Sequence, residues 1–269
     1  MRIGTNVFSM NARWSLYENE NGMNVAMEHL ATGKKLNHAS DHPANVEIVT
    51  RMHARASGMH VAIRNNEDAI SMLQVAEAAL QTVTNILQRM RHLAVQSANG
   101  TNSKQNREAL NQEFQTLYEE VRYIDETTEY NDLPVFNGQA RHVALDDLGH
   151  TIHISKKENH SPLSSRQNDI KISTEQEARA VLVKIEAALQ NIMLHRADIG
   201  AMMNRLQFQI ENLHTQSIAL TDAASRIEDA DIAEEMSDFV KDKLLTEVAL
   251  TMVSQANQVP HMIIKLLQS

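Results

Sequence analysis

The chain has 269 residues, of which only 8 are Gly, 4 are Pro and 4% are aromatic, a composition that favours long helices over a compact aromatic core. The formal net charge is −9 and the basic residues are not clustered, which argues against nucleic acid as a partner. Cysteine is absent, so disulfides, thiolate metal sites and cysteine nucleophiles are excluded. We find no apolar signal-peptide core after Met1 and no run of about 18 apolar residues, and we therefore expect no secretory signal of the usual type and no membrane insertion.

The first predicted element is a helix over residues 3–32. Apolar residues recur along it at intervals of four and three, which keeps them on one seam and predicts that the helix lies against another helix. The seam consists of Ile3, Val7, Met10, Trp14 and Tyr17. Gly33 and the stretch from Asp41 interrupt the pattern, and Pro43 is suited to the first turn of the next helix.

Two further helices are predicted, over 44–99 and from Ser103 to about Thr127. Asn99 and Gly100 end the first of them, and Ser103 is a preferred residue for capping the second. The seam of the longer helix consists of Leu73, Ala76, Leu80, Val83, Leu87, Met90, Ala94 and Ser97. The seam of the shorter helix consists of Leu110, Phe114, Leu117, Val121 and Ile124.

The composition changes between Glu129 and Ser173, where most of the remaining turn signals occur. Residues 151–155 and 169–173 alternate with period two, which predicts strands in one or two hairpins. His150 and His153, with His160 nearby, raise the question of a metal site. Side chains three residues apart on a strand point to opposite faces, so we predict neither a metal site nor a cofactor.

Helical periodicity resumes at Thr174 or Glu175 and continues to about Leu220. Thr221 and Asp222 indicate a break or a weak point, and a last helix is predicted over 229–256, ending before Pro260. The seam before it consists of Leu206, Ile210, Leu213, Ser217, Leu220, Ala224 and Ile227. Acidic residues are frequent around the start of the last predicted helix, at Glu228, Asp229, Asp231, Glu234, Glu235 and Asp238. A helix surface offers no cleft between facing carboxylates, so we predict no enzyme.

These elements predict a mainly α protein, a long antiparallel helical coiled-coil rod with a small central β-hairpin insert. Folding back at the insert would bring the N- and C-terminal helices side by side, so that the two chain ends pair.

Several stretches of the sequence resemble bacterial flagellin, over most of the chain. The N-terminal half contains LATGKKLN at 30–37, followed by Asp41 and Ala44, and QRMRHLAVQSAN at 88–99. The C-terminal half contains RADIGA at 196–201, SRIEDAD at 225–231 and QANQVP at 255–260. The chain departs from the family pattern at His42, Pro43, Asn45, Ala69, Ala78 and His92.

The resemblance implies a short flagellin with an inner domain, D0, and a surrounding rod domain, D1. D0 would comprise residues 1–40 and 229–269, and D1 would comprise 41–228 with its β-hairpin region at about 129–173. Packing between D0 domains of neighbouring subunits is assigned to the first seam together with Met236, Val240, Leu244 and Val248. The D1 core is assigned to Leu73, Leu80, Leu87, Leu110, Phe114, Leu117, Leu206, Ile210 and Leu213.

The same resemblance implies a structural subunit that is exported unfolded, polymerises into the extracellular flagellar filament and supports swimming. Its expected partners are other copies of the chain, the hook-associated junction and cap proteins, and an export chaperone that binds the C-terminal helices. Arg89, Leu93 and Glu113 match positions at which similar flagellins are sensed by Toll-like receptor 5. Two alternatives stay open at this point: a flagellin-like hook–filament junction protein, and a secreted adhesin or ligand that reuses the fold.

Overall fold

The computed structural model describes residues 6–136, 141–144, 146, 149–154 and 170–268. Five helices make up most of the described residues, which confirms the mainly α class with a small antiparallel β insert. The described helices are α1 (Val7–Thr32), α2 (Pro43–Ser97), α3 (Lys104–Thr127), α4 (Glu175–Glu228) and α5 (Ile232–Gln268). The short strands are β1 (Glu129–Tyr130), β2 (Leu133–Pro134), β3 (Arg141–Ala144) and β4 (Thr151–Ile154).

Local sequence signals account for most helix ends. Ser103 accepts a hydrogen bond from the backbone N–H of Asn106, three residues into α3, and so caps that helix as predicted. Gly33 follows α1 with φ of 72°, a left-handed conformation that glycine adopts without steric cost. Pro43 is the first residue of α2, where its missing N–H has no helical acceptor.

The described residues of the β insert form two antiparallel pairs. Tyr130 pairs with Leu133, and the two residues between them, Asn131 and Asp132, have φ of 50° and 59°. Two consecutive positive φ values are characteristic of the tight turn that matches the twist of a hairpin. The predicted strand at 151–155 corresponds to β4, and it pairs with β3, which the sequence pattern did not predict.

The prediction of a strand at 169–173 is wrong for the part that the structure describes. Residues 170–174 are not in a strand, although Ile170 and Ile172 are buried as the period-two pattern implies. Side chains of α2 and α3 replace a strand partner: Gln115 donates to the carbonyl of Ile170, and Asn111 accepts from the N–H of Ile172 at 2.9 Å. The Ser97 hydroxyl donates to the carbonyl of Ile172. Because these bonds satisfy the extended backbone, the segment needs no neighbouring strand.

Two predicted helix ends are also wrong. No break occurs at Thr221 and Asp222, since α4 continues to Glu228. Propensity alone does not end a helix whose next turns still bury a side chain, as Ala224 does here. The last helix also continues through Pro260 to Gln268, whereas the sequence predicted a stop before that proline.

The chain divides into two compact units, each described here by itself. Unit 1 consists of Met1–Ala54 and Ala219–Ser269, and unit 2 consists of Arg55–Ile218. Unit 2 has an extensive apolar core in which α2, α3 and α4 meet. Its most deeply buried large side chains are Met59, Leu87, Met90, Leu93, Phe114, Ile170, Ile172, Ile185, Ile192, Leu206 and Leu213. The eight residues of the predicted α2 seam are all buried there.

Candidate functional site

In unit 1, α1 and α5 lie antiparallel and approach closely through small residues. Ala26 of α1 and Ala249 of α5 are buried. Gly22 lies so close to α5 that a Cβ atom at this position would meet the carboxylate of Asp242. Small side chains at a helix contact let the two backbones come together, but they also bury little apolar area.

The start of α1 is joined to the end of α5 by side-chain hydrogen bonds. Asn6 donates from Nδ2 to the carbonyl oxygen of Ala256 at 2.7 Å. Ser9, which is buried, donates from its hydroxyl to Oδ1 of Asn257 at 2.8 Å. The pairing of the two chain ends, predicted from the sequence, is therefore present in unit 1.

The other end of the helix pair is held by backbone hydrogen bonds between the segments that follow α1 and α4. The N–H of Lys35 donates to the carbonyl of Glu228 at 2.7 Å, and the N–H of Ala230 donates to the carbonyl of Gly33 at 3.0 Å. His29 of α1 also contacts Glu235 of α5, with 2.9 Å between Nδ1 and Oε1. The chain turn between α4 and α5 is thus attached to the turn after α1.

Glu228 is the buried charge at this junction. Its carboxylate contacts Nε2 of His53 at 2.7 Å and also the ammonium group of Lys34. Hydrogen bonds from His53 and Lys34 favour the ionised carboxylate and lower the pKa of Glu228 below its usual value. The same contact raises the pKa of Lys34. Glu228, one of the acidic residues around the start of the last helix, therefore joins three segments of unit 1.

The apolar side chains assigned to subunit packing point away from this narrow contact. Trp14 is 62% exposed and Leu244 is 57% exposed. Trp14 and Tyr17 lie beside each other, with 6.1 Å between ring centroids. The other members that the structure describes are exposed too, namely Val7, Met10, Met236, Val240 and Val248, whereas Ile3 lies outside the described residues.

Part of this exposed apolar surface lies outside the predicted seams. Phe8 is 71% exposed, and Leu245, Leu250 and Met252 add apolar area to other faces of α5. A single seam accounts for only one side of a helix, whereas α5 is apolar on several sides. Apolar residues on more than one side of a helix indicate more than one contact face, and that pattern is the signal that could have found these residues.

The residues assigned to the D1 core lie inside unit 2. Leu73 and Leu206 pack in one cluster of buried residues, and Leu80, Leu87 and Phe114 pack in the other. Leu213 is also buried. Leu110 and Leu117 are half-buried against the cluster that contains Phe114, and Ile210 is also half-buried.

The three residues matched to receptor sensing have different environments. Arg89 of α2 contacts Glu113 of α3, with 2.6 Å between Nη2 and Oε1, and both side chains are about half exposed. Leu93 is only 1% exposed and belongs to the unit 2 core. The folded chain therefore presents Arg89 and Glu113 to a partner but not Leu93.

Nδ1 of His150 lies at hydrogen-bonding distance from the carboxylate of Asp146, and His160 lies outside the described residues. Within the part of the chain that the structure describes, no three histidine or acidic side chains are grouped as a metal ion would require. None of the described helices has the length and hydropathy needed to cross a membrane.

The class that this fold and surface define is a helical protein with paired chain ends and an apolar surface left for other molecules. Comparison with known families identifies it further. Residues 3–141 match the bacterial flagellin N-terminal helical region, and residues 182–267 match the bacterial flagellin C-terminal helical region. The chain is 36% identical to the flagellin of Listeria monocytogenes and 38% identical to that of Halalkalibacterium halodurans, each over the full length of both chains.

Solved structures agree with this assignment. The crystal structure of Bacillus cereus flagellin superposes with a TM-score of 0.51 at 30% identity, covering 56% of this chain and 88% of that one. A provisionally assigned flagellar hook-associated protein from Vibrio parahaemolyticus shares the fold, with a TM-score of 0.62 at 16% identity over 70% of this chain and 100% of that one.

The chain belongs to the bacterial flagellin family. It is a structural subunit of the flagellar filament that serves motility, which confirms the function expected from the resemblance. Members of this family are self-polymerising structural proteins, and membership implies the extracellular flagellar filament. No observation favours a junction protein or an adhesin over a filament subunit.

Proposed function

We propose that α1 and α5 form the contacts between neighbouring subunits in the filament, through the exposed apolar residues of both helices. One observation carries this proposal: all the large side chains less than 2% exposed among the described residues lie in unit 2, whereas Trp14, Tyr17 and Leu244 of unit 1 are more than half exposed. Full burial of one such side chain stabilises by roughly 1.5–3 kcal/mol. A neighbouring subunit would supply the burial that unit 1 lacks.

The proposal extends to the domain assignment. Residues 1–40 and 229–269 form D0, the inner tube, and 41–228 form D1 around it. The start of α5 at Ile232 and the end of α1 at Thr32 support these limits. Helices this weakly packed gain little stability from their own propensity, so lateral association in the tube accounts for their order.

Trp14 offers a direct test because it is the only tryptophan in the chain. It is 62% exposed in the single subunit, and the proposal buries it against another subunit. We expect its fluorescence to shift to shorter wavelength on polymerisation, and quenching by acrylamide to fall several-fold. Equal quenching in monomer and filament would contradict the assignment of Trp14 to a subunit contact.

A pair of variants tests the α5 side of the same contact. Leu244→Ser removes an exposed apolar side chain, and Lys243→Ser changes the adjacent exposed residue as a matched control. We expect Leu244→Ser to raise the critical concentration for polymerisation by about tenfold or more, with the monomer unfolding transition unchanged, because a lost apolar contact of about 1.4 kcal/mol is a factor of ten. A similar effect from both variants would reject a specific role for Leu244.

The finer partner assignments follow from the same surface. We propose that the subunit has no catalytic role, that it is secreted, and that hook-associated junction and cap proteins meet its filament at the ends. An export chaperone would cover the apolar faces of α5 before assembly. Binding of that chaperone to a peptide of residues 232–268, weakened by serine at Leu244 and Val248, would support this part.

We further propose that Toll-like receptor 5 contacts the exposed Arg89 and Glu113, and that Leu93 acts only by supporting α2 from the core. The accessible Arg89–Glu113 pair supports this view. In a reporter-cell assay with monomeric protein, Arg89→Ala should lower the response while the protein stays folded. A silent response to the unaltered protein would reject receptor recognition, and His92, where the family usually has an acidic residue, would be the first residue to revert.

A further inference from the structure

Asn6 uses both ends of its side-chain amide, each toward a different helix. Its Oδ1 accepts a hydrogen bond from the N–H of Ser9 at 3.2 Å and so caps the start of α1. Its Nδ2 donates to the carbonyl oxygen of Ala256 in α5 at 2.7 Å. A backbone N–H can only donate and a backbone carbonyl can only accept, so these two partners determine the orientation of the amide.

The carbonyl that Asn6 reaches is one that α5 itself cannot satisfy. In an α-helix, the carbonyl of residue 256 accepts from the N–H of residue 260. Here residue 260 is proline, which has no N–H, and α5 continues past it to Gln268. The structure places an external donor at the carbonyl that the proline leaves without its helical partner.

We propose that Asn6 is a shared cap, which makes the helical order at the start of α1 and beyond Ala256 in α5 mutually dependent. If α1 is unpaired, the carbonyl of Ala256 loses its donor within the helix pair. If α5 is unpaired, the Asn6 amide loses the contact that orients it. The bond between Ser9 and Asn257 lies beside this one and adds a second link at the same level of the pair. The two chain ends would therefore become ordered together, and this coupling does not depend on which surface neighbouring subunits bury.

Substitution of Asn6 by Asp separates the two roles of the amide. Aspartate caps a helix start as well as asparagine does, but its carboxylate cannot donate to the Ala256 carbonyl. Pro260→Ala restores the missing backbone N–H and so makes the donor from Asn6 unnecessary. A double-mutant cycle of Asn6→Asp and Pro260→Ala therefore measures the coupling. Asn11→Asp, at an exposed position of α1, is the control for the added charge.

The measurement is hydrogen exchange of the backbone amides at residues 257–264 in assembled filaments. We expect Asn6→Asp to speed this exchange roughly tenfold, as loss of one satisfied carbonyl implies, and to have at most a twofold effect in the Pro260→Ala background. Asn11→Asp should leave the exchange unchanged. If Asn6→Asp prevents polymerisation, polymer yield is compared instead, and recovery of yield by Pro260→Ala supports the proposal. An effect of Asn6→Asp that is equal with proline or alanine at 260, on exchange or on yield, would overturn it.

Discussion

Units 1 and 2 are built from the same kinds of helices but dispose of their apolar residues in opposite ways. In unit 2, Phe114, Leu87 and Ile185 are at most 1% exposed. In unit 1, Trp14, Leu244 and Val248 are more than half exposed. The seam between α1 and α5 holds the buried Ala26 and Ala249, together with larger residues that are only half-buried, such as Leu16 and Phe239. A helix pair can thus be joined along one seam and by hydrogen bonds while large residues on its other faces stay exposed.

This difference explains why one chain can be both a folded subunit and a building block. Unit 2 gains its stability from burial within the chain, so it needs no partner to fold. Among its described residues, unit 1 buries no large side chain as fully as unit 2 does, and the conformational entropy of two long helices opposes its order. In the proposed filament contact, neighbouring copies would supply the missing burial, since members of this family polymerise with themselves.

The sharpest test of the comparison is truncation of the same residue type in and out of the core. Phe114 is fully buried, and Phe208 of the same unit is 70% exposed. We expect Phe114→Ala to lower the free energy of unfolding by about 3–5 kcal/mol, because it removes a large buried side chain and leaves a cavity. Phe208→Ala should change it by less than about 0.5 kcal/mol. Denaturant unfolding of the monomer measures the change in unfolding free energy for each variant. Equal losses would show that burial in the core does not account for the stability of the monomer.

A smaller effect is expected where side chains satisfy the extended segment of unit 2. Asn111→Ala removes the acceptor for the N–H of Ile172, whose side chain is fully buried. We expect a loss of about 1–3 kcal/mol, since a donor in buried surroundings would be left without a partner. Gln112→Ala, one residue along α3 and exposed, is the matched control and should be close to neutral. Unfolding free energies that match for the two variants would argue that water replaces Asn111 at no cost.

The smallest expected effect is the pH dependence of unit 1 through Glu228. Its pKa in the folded chain lies below the ordinary value of 4.5, chiefly because of the hydrogen bond from His53 and then that from Lys34. A lowered pKa means that the folded state favours the carboxylate. The stabilisation is therefore present above about pH 4.5 and is lost as the pH falls through the folded-state pKa.

The size of this effect is limited, to about 1 kcal/mol or less, because both partners of Glu228 are about half exposed to solvent. Thermal unfolding monitored from roughly pH 3 to pH 7 should show this loss of stability at low pH in the unaltered chain, and a smaller loss in Glu228→Gln. Glu234→Gln, at an exposed position nearby, should keep the full pH dependence. The same pH dependence of thermal unfolding in all three chains would show that Glu228 does not contribute to it.

Sequence reasoning succeeded where the determining signal is local. Ser103, Gly33 and Pro43 act within one turn of the helix that each begins or ends, so their effects could be predicted directly. The seam from Leu73 to Ser97 was equally predictable, because an apolar period near 3.6 needs only a partner helix to become buried. The buried alternation at Ile170 and Ile172 was also correct as a pattern of burial, although it was wrong as a strand.

Sequence-based predictions were wrong where a side chain from a distant part of the chain supplies the hydrogen bond that determines the local structure. Nothing near residue 170 in the sequence indicates that Asn111 and Gln115 would satisfy its backbone. Nothing near Pro260 indicates that Asn6, about 250 residues earlier, would donate to the carbonyl that the proline leaves unsatisfied. Rules for helix ends and strands consider only nearby residues. In both segments a hydrogen bond from a distant residue satisfies a backbone group that those rules leave without a partner.

The mainly α class, the helical seams and the membership of the flagellin family follow from the sequence, because periodicity and ordered motifs are properties of the chain alone. Which apolar residues become buried depends on tertiary packing. Trp14 and Leu87 occupy similar seam positions on long helices, yet one is exposed and the other buried. The reason is physical: burial depends on which face of a helix its neighbour covers, and the face of α1 that carries Trp14 stays exposed beside α5.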